Sequence, residues 1–263
     1  MSSARVASRQ FRRKTICLPH TLRNHQKEKE AERFSTYEWQ EQNKLSVSHL
    51  TSSQTVVCLG LACVETLRDP SRADLVAAIG EISSDRALVR LYSRMRNYQG
   101  GRLLLLEQRR VTNTTLEKAR TQKFGTFGHA YAQFMDSRSF RPDDRPAVRF
   151  SNTEPWNYVL VRLREIHDYL HVLFECPTSV EGEVILKAIE FTNCKLPISS
   201  LGALLGSVQL PVATQHRLHR TIFPWAVQAG LKCKPLESID FESHFPLPLQ
   251  QVRQLYGINR LPR

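Results

Sequence analysis

The sequence predicts an all-α fold, a single helical domain with a flexible basic N-terminal extension. Three observations lead there. Apolar residues recur at helical spacing in one segment after another. Capping-box signals stand directly before two of these segments, as Ser71-Arg-Ala-Asp74 and Thr178-Ser-Val-Glu181. No internal repeat, sustained heptad or dense β-branched alternation competes with a helical reading. Helices packed around one core are the expected architecture.

A chain of 263 residues fits one large domain plus an extension, and it can bury a substantial core without staples. The boundary is placed at residues 44 and 45. Residues 1–27 hold seven Lys/Arg and no Asp or Glu, with Ser and Thr scattered among them. No long apolar run is present there, which excludes a secretory signal and matches the composition of a mitochondrial transit peptide. A basic arm that binds nucleic acid or lipid is the alternative. Gln26 to Lys44 is polar and mixed in charge, as expected of a linker or a solvated helix. The six cysteines form no C-x-x-C pair, so a reducing compartment is expected, with most of them packed as small hydrophobes.

From Leu45 the chain changes character. Leu50 to Leu67 ends in a mostly apolar half, too short and too interrupted to span a bilayer. It reads as a buried helix, with a membrane-facing helix as the sharper alternative. Asp69-Pro70 breaks it, and the next helix is expected over Asp74 to Glu81. Ala87 to Tyr98 continues with helical spacing, and Gly100-Gly101 reads as a turn. Leu103 to Leu106 is helix or strand by periodicity alone. Val111 to Thr115 is expected to be a loop with several helix caps. Phe124 to Gly128 is Gly-rich but lacks the spacing and the Lys of a phosphate loop, so it reads as a turn before a helix over Ala130 to Met135. A second loop, Ser139 to Pro146, precedes Arg149, which could clamp a carboxylate or serve a structural ion pair. Helices are then expected over Asn157 to Glu175 and Glu181 to Thr192. Leu196 to Val212 is almost uncharged and interleaves small residues with Leu, as in a core helix with close backbone approach. His216 to Trp225 is amphipathic, with His216 and His219 on its surface, and a last short helix falls within Pro246 to Ile258.

The chemistry concentrates in Arg164-Glu165-Ile166-His167-Asp168-Tyr169-Leu170-His171, followed after eleven intervening residues by Glu183. A helix advances about 100° per residue, so His167 and His171 share a face one turn apart. Asp168 lies close enough in angle that all three can aim at a common point. Glu183 opens the next helix, and a helical hairpin brings it back across from the histidines. Two imidazoles and one or two carboxylates suit Zn²⁺ or another divalent first-row metal. A bare pair of histidines at this spacing is more often a surface pair; the adjacent Asp and the later Glu raise the metal reading above it. This is not the H-E-x-x-H of the zinc proteases, because Asp168 stands where their general base is a Glu. Cys176 lies near this region and reads as a buried thiol at a helix end.

His167, Asp168, His171 and Glu183 match residue by residue the signature of the ubiquinone (coenzyme Q) biosynthesis protein 4 family, which the sequence resembles from about Leu45 to about Ile258. Further family-like stretches include Asp69-Pro70 through Glu81, Gly128 to Met135, Arg145-Pro146 to Phe150, Pro177-Thr178, Leu201 to Gly206 and Pro224-Trp225-Ala226. Near the C-terminus the resemblance weakens: Phe241-Glu242-Ser-His244-Phe245 stands where the family usually carries an aromatic-rich Tyr-Tyr-Glu segment, the place of a lid or a partner contact.

The resemblance implies a mitochondrial protein, peripheral on the matrix side of the inner membrane. It implies decarboxylation of a 4-hydroxy-3-methoxy-5-polyprenylbenzoate ring, with or without oxidation at the same carbon. The metal set would be His167, Asp168, His171 and Glu183, with Asp168 and Glu183 as the catalytic carboxylates. Zn²⁺ is the expected ion, and iron the alternative if oxidation occurs, because zinc cannot change oxidation state. Expected partners are a polyprenylated benzoate or quinone-like lipid, the other ubiquinone-biosynthesis proteins in a multi-subunit complex, the membrane surface, and a second copy of the chain as a further candidate. Nucleic acid is not expected, since no recognition helix, zinc finger or aromatic-basic stacking surface is present. The competing class is a non-catalytic lipid-binding scaffold that assembles the complex around a structural metal.

Overall fold

The computed structural model describes eight residues between 57 and 68, and then residues 85–145 and 157–262. The N-terminal extension, the helix expected over Asp74 to Glu81 and the Arg149 clamp lie outside the described residues.

Every regular element among the described residues is helical. The α-helices are α1 (Asp85–Asn97), α2 (Gln99–Glu107), α3 (Asn113–Arg120), α4 (Phe127–Asp136), α5 (Asn157–Phe174), α6 (Val180–Cys194), α7 (Pro197–Val208), α8 (Val212–Arg217), α9 (Phe223–Lys232) and α10 (Leu249–Tyr256). A π-helical turn, Leu218–Ile222, joins α8 to α9, and 3-10 turns occur at Pro142–Asp144, Leu236–Ser238 and Glu242–His244.

The molecule is built around α5. Its Tyr158, Val159, Ile166, Tyr169, Leu173 and Phe174 are sealed from solvent, and among the described residues they belong to a contiguous core to which most of the other helices contribute. A helix apolar on most sides must be covered on most sides. Accordingly α1 and α4 pack against it, and α6 returns beside it and is itself covered by α7 and α9. The Phe241 to Phe245 segment packs its aromatic rings into the core. Phe241 and Phe245 sit against Tyr169 with ring centroids 5.6 and 5.9 Å away, and Glu242 accepts both a two-pronged bond from the buried Arg162 guanidinium at 2.7 Å and one from the Tyr169 hydroxyl at 3.1 Å.

Three sequence expectations change. Gly100-Gly101 is no turn but the start of α2. A Cβ on Gly101 would lie 2.4 Å from the Met95 carbonyl oxygen, and one on Gly100 2.7 Å from that of Ser238, so these glycines permit close backbone approach inside a folded corner. The helical residues between 57 and 68 are not a buried helix. Ala62 is covered, but Val57, Leu61 and Val64 point outward at helical spacing. In α7 the small residues do face a neighbour, since a Cβ on Gly206 would meet Val184 of α6 at 2.5 Å. The other side is bare: Leu204 and Val208 are each 60% exposed, and Val212 beyond them is 81% exposed.

Candidate metal centre

The α5–α6 hairpin is closed by local chemistry. Glu175 ends α5 with φ of 56°, and the Cys176 amide donates back to the His171 carbonyl. Ser179, one residue later than the cap expected from the sequence, accepts from the Gly182 amide at 3.3 Å and opens α6. A Cβ on Gly182 would lie 1.9 Å from the Pro177 carbonyl oxygen, so the tight return needs glycine there. The next residue is Glu183.

His167, His171 and Glu183 converge, with donor atoms all within 4.8 Å of one another. One Glu183 oxygen is 3.2 Å from His167 Nε2 and the other 2.9 Å from His171 Nε2, while the two Nε2 atoms are 3.2 Å apart. Each imidazole is held from behind. His167 Nδ1 lies 2.7 Å from the Glu190 carboxylate, and His171 Nδ1 lies 3.0 Å from the Cys176 carbonyl oxygen. Glu190 also accepts from Lys187 Nζ at 2.8 Å and from the Ser199 hydroxyl at 3.2 Å. The His171 ring stacks on Phe134 of α4.

The electrostatics follow from this packing. Burial and the Lys187 ammonium oppose charge on His167, but Glu190 and Glu183 outweigh them and raise its pKa to about 9. Burial also works against charge on Glu183, yet bonds from His167 and His171 hold it well below the usual carboxylate range. Glu190, likewise buried, is brought to about 2 by Lys187 and His167. Burial and the Glu183 charge push the Cys176 thiol up to about 12, which makes it an inert packing group.

These residues fit a divalent ion. With Nδ1 of each ring already engaged, both Nε2 lone pairs aim at the shared point beside a carboxylate. Two ring nitrogens at 3.2 Å repel unless a proton or a cation lies between them. Two nitrogens and one oxygen form a three-donor set of the kind that zinc uses when one position is left for another group.

Asp168 is not brought into this trio. It forms an ion pair with Arg145, whose guanidinium also donates to the Pro142 carbonyl at 3.0 Å. The separation arises because Asp168 lies about 100° around α5 from His167, on the side of the 3-10 turn at Pro142–Asp144 rather than the side of α6. Near that ion pair the Tyr131 hydroxyl of α4 is buried, and burial and the Asp168 charge raise its pKa well above the phenol range. Sequence reasoning named Arg145 only as part of a family-like stretch and missed Lys187, Glu190 and Ser199. A signal existed for two of them: Lys187 and Glu190 follow Glu183 at four and seven residues, on the same face of α6.

The family model of the coenzyme Q (ubiquinone) biosynthesis protein Coq4 matches residues 44–262. The chain belongs to this family. It therefore takes part in ubiquinone biosynthesis. Similar proteins include the mitochondrial ubiquinone biosynthesis protein COQ4 homologue of Bos taurus, 37% identical over 74% of this chain and 75% of that one. The Danio rerio homologue, also named mitochondrial, is 34% identical over 83% and 82%. The Schizosaccharomyces japonicus protein is 32% identical over 81% and 90%. All three of these relatives are named as mitochondrial proteins. The same fold occurs in the crystal structure of a Nostoc punctiforme protein described as a ubiquinone biosynthesis protein, with a TM-score of 0.61 and 21% identity over 76% of this chain and 97% of that one.

Proposed function

We propose that the chain decarboxylates a 4-hydroxy-3-methoxy-5-polyprenylbenzoate ring at the carbon bearing the carboxyl, using a divalent ion held by His167, His171 and Glu183. The observation that carries this reading is the three-donor cluster with a fourth carboxylate, Asp168, kept outside it. A set of three protein donors leaves a position for substrate, whereas four would close the site and favour a purely structural metal. An ion held there would supply Lewis-acid stabilisation of negative charge on a substrate oxygen. Glu183 and the two histidines would hold the ion, the Glu190 and Cys176 contacts fix the rings, and Asp168, outside the ligand set, would deliver the proton that replaces CO₂ on the ring once protonated and released from Arg145. Zinc suffices for this non-redox version; if hydroxylation accompanies decarboxylation, iron and an oxidant are required.

The proposed partners are the polyprenylated ring lipid, the matrix face of the inner membrane and other ubiquinone-biosynthesis proteins, which the chain would help to organise. No described helix is long and apolar enough to cross a membrane. Between Glu190 and Glu237 the chain has no Asp or Glu, while Lys195, Arg217, Arg220, Lys232 and Lys234 fall there. The bare Leu204, Val208 and Val212 thus belong to a stretch of chain whose charges are all basic, although Arg217 pairs with Glu181, and an apolar face in such a stretch suits an anionic lipid surface.

The test is metal analysis of protein purified without a metal-binding tag, beside His171→Ala and Asp168→Ala. About one zinc per chain, lost in His171→Ala, with Asp168→Ala folded, loaded and inactive, is the expected result. Full turnover after loss of both histidines would sink the metal mechanism. Full turnover in Asp168→Ala would remove the proton-carrying role.

A further inference from the structure

We propose that Glu190 is a positioning residue of the metal centre: its carboxylate holds the proton on His167 Nδ1 and so presents Nε2 to the ion. The inference rests on the metal reading above and adds a residue that lies outside the ligand set. Glu190 has no route to the ion itself, since His167 stands between them. Its Oε1 lies 2.7 Å from His167 Nδ1, while its Oε2 takes the Lys187 ammonium at 2.8 Å and the Ser199 hydroxyl at 3.2 Å. The two oxygens thus have separate duties. One is aimed at the ring, and the other is anchored by α6 and α7; the Lys187 ammonium also lies 3.4 Å from His167 Nδ1, farther than the carboxylate, and having only protons to donate it cannot accept the ring's N–H.

The arrangement is more than a buried ion pair. An exposed partner would satisfy Lys187, whose side chain is about one-third exposed, without burying a carboxylate, yet the Glu190 side chain is 9% exposed and sits behind the ring. A carboxylate behind a metal-bound imidazole fixes the tautomer and ring plane and increases the basicity of the coordinating nitrogen. His171 has only a neutral carbonyl, from Cys176, in the equivalent place. The two histidines are therefore unequal ligands, and His167 is the more strongly donating one. Ser199 gives α7 a direct hold on the same carboxylate, which connects the helix with the bare apolar face to the centre.

The experiment compares zinc affinity, by competition with a chelator, and the visible spectrum of the Co²⁺-substituted form in wild type, Glu190→Gln and Lys187→Met. Glu190→Gln keeps the shape and an acceptor oxygen but removes the charge. A loss of affinity of roughly 10–100-fold with a shifted Co²⁺ spectrum is expected. Lys187→Met is expected to bind zinc no more weakly than wild type. Glu190→Gln within twofold of wild type, or Lys187→Met losing as much as Glu190→Gln, overturns the proposal in favour of a simple buried ion pair. Long-range ¹H–¹⁵N spectra of the zinc-loaded wild type provide a second test that needs no variant to fold. They should show His167 protonated at Nδ1 and bound through Nε2; the reverse tautomer overturns the proposal. A wild type that takes up no metal would instead bring down the metal reading itself.

Discussion

At the scale of single residues, the centre is a balance of charges. In the metal-free protein His167 titrates near 9 rather than at its usual 6.5, so folding favours the imidazolium. A raised folded-state value contributes stability that is fully present below pH 6.5 and is lost as pH climbs through about 9. Chelator-treated protein should therefore melt at a higher temperature at pH 6 than at pH 9.5, and the difference should shrink in His167→Gln; thermal scans at the two pH values decide it. A metal bound as proposed would reverse the direction. It would compete with the same proton, so zinc uptake should release protons and strengthen between pH 6.5 and 9, measurable by calorimetry in buffers of different ionisation enthalpy.

At the scale of elements, the hairpin and α7 make separable predictions. Gly182→Ala drives a Cβ into the Pro177 carbonyl, a backbone atom that cannot move independently, and Glu183 is the adjacent residue. The expected cost is about 1–3 kcal/mol of stability together with loss of bound metal. Denaturant titration and metal analysis on the same sample check both parts, and a stable Gly182→Ala that keeps its metal would contradict the account of the turn. Replacing both Leu204 and Val208 by Ser should leave stability nearly unchanged, because both are more than half exposed. The same double substitution should weaken sedimentation with vesicles of phosphatidylcholine and cardiolipin. Undiminished binding would remove α7 from the proposed lipid contact.

At the scale of the molecule, the C-terminal segment is part of the core that holds α5 in place. Arg162 is fully sealed and paired with Glu242, while Phe241 and Phe245 close over Tyr169. Removing one member of a buried ion pair leaves an uncompensated charge, so Arg162→Leu should cost about 3–5 kcal/mol. Because α5 carries both histidines, the centre should lose metal as the fold loosens. Equilibrium unfolding with zinc release followed in parallel tests the coupling; a variant as stable as wild type would show that the pair is dispensable.

Much of this organisation is written locally in the chain. Helical spacing around Tyr158 to Leu173, and the Ser, Thr and Glu signals after Pro177, are enough to lay out the α5–α6 hairpin, because periodicity and capping act within a few residues. The same locality explains why His167, His171 and Glu183 could be grouped in advance: two lie one turn apart, and the third opens the neighbouring helix. What the sequence left open depends on which face meets which neighbour. Asp168 shares a sector with the histidines on an isolated helix, but packing turns it toward Arg145. Glu190 and Ser199 join the centre only because α6 and α7 cross there. Gly100 and Gly101 resemble a turn until the approach of Met95 and Ser238 gives them a reason to lie within a helix. Side-chain direction along one helix is a local property, whereas the partner it finds is set by elements distant in sequence, and that choice is made only when the core closes.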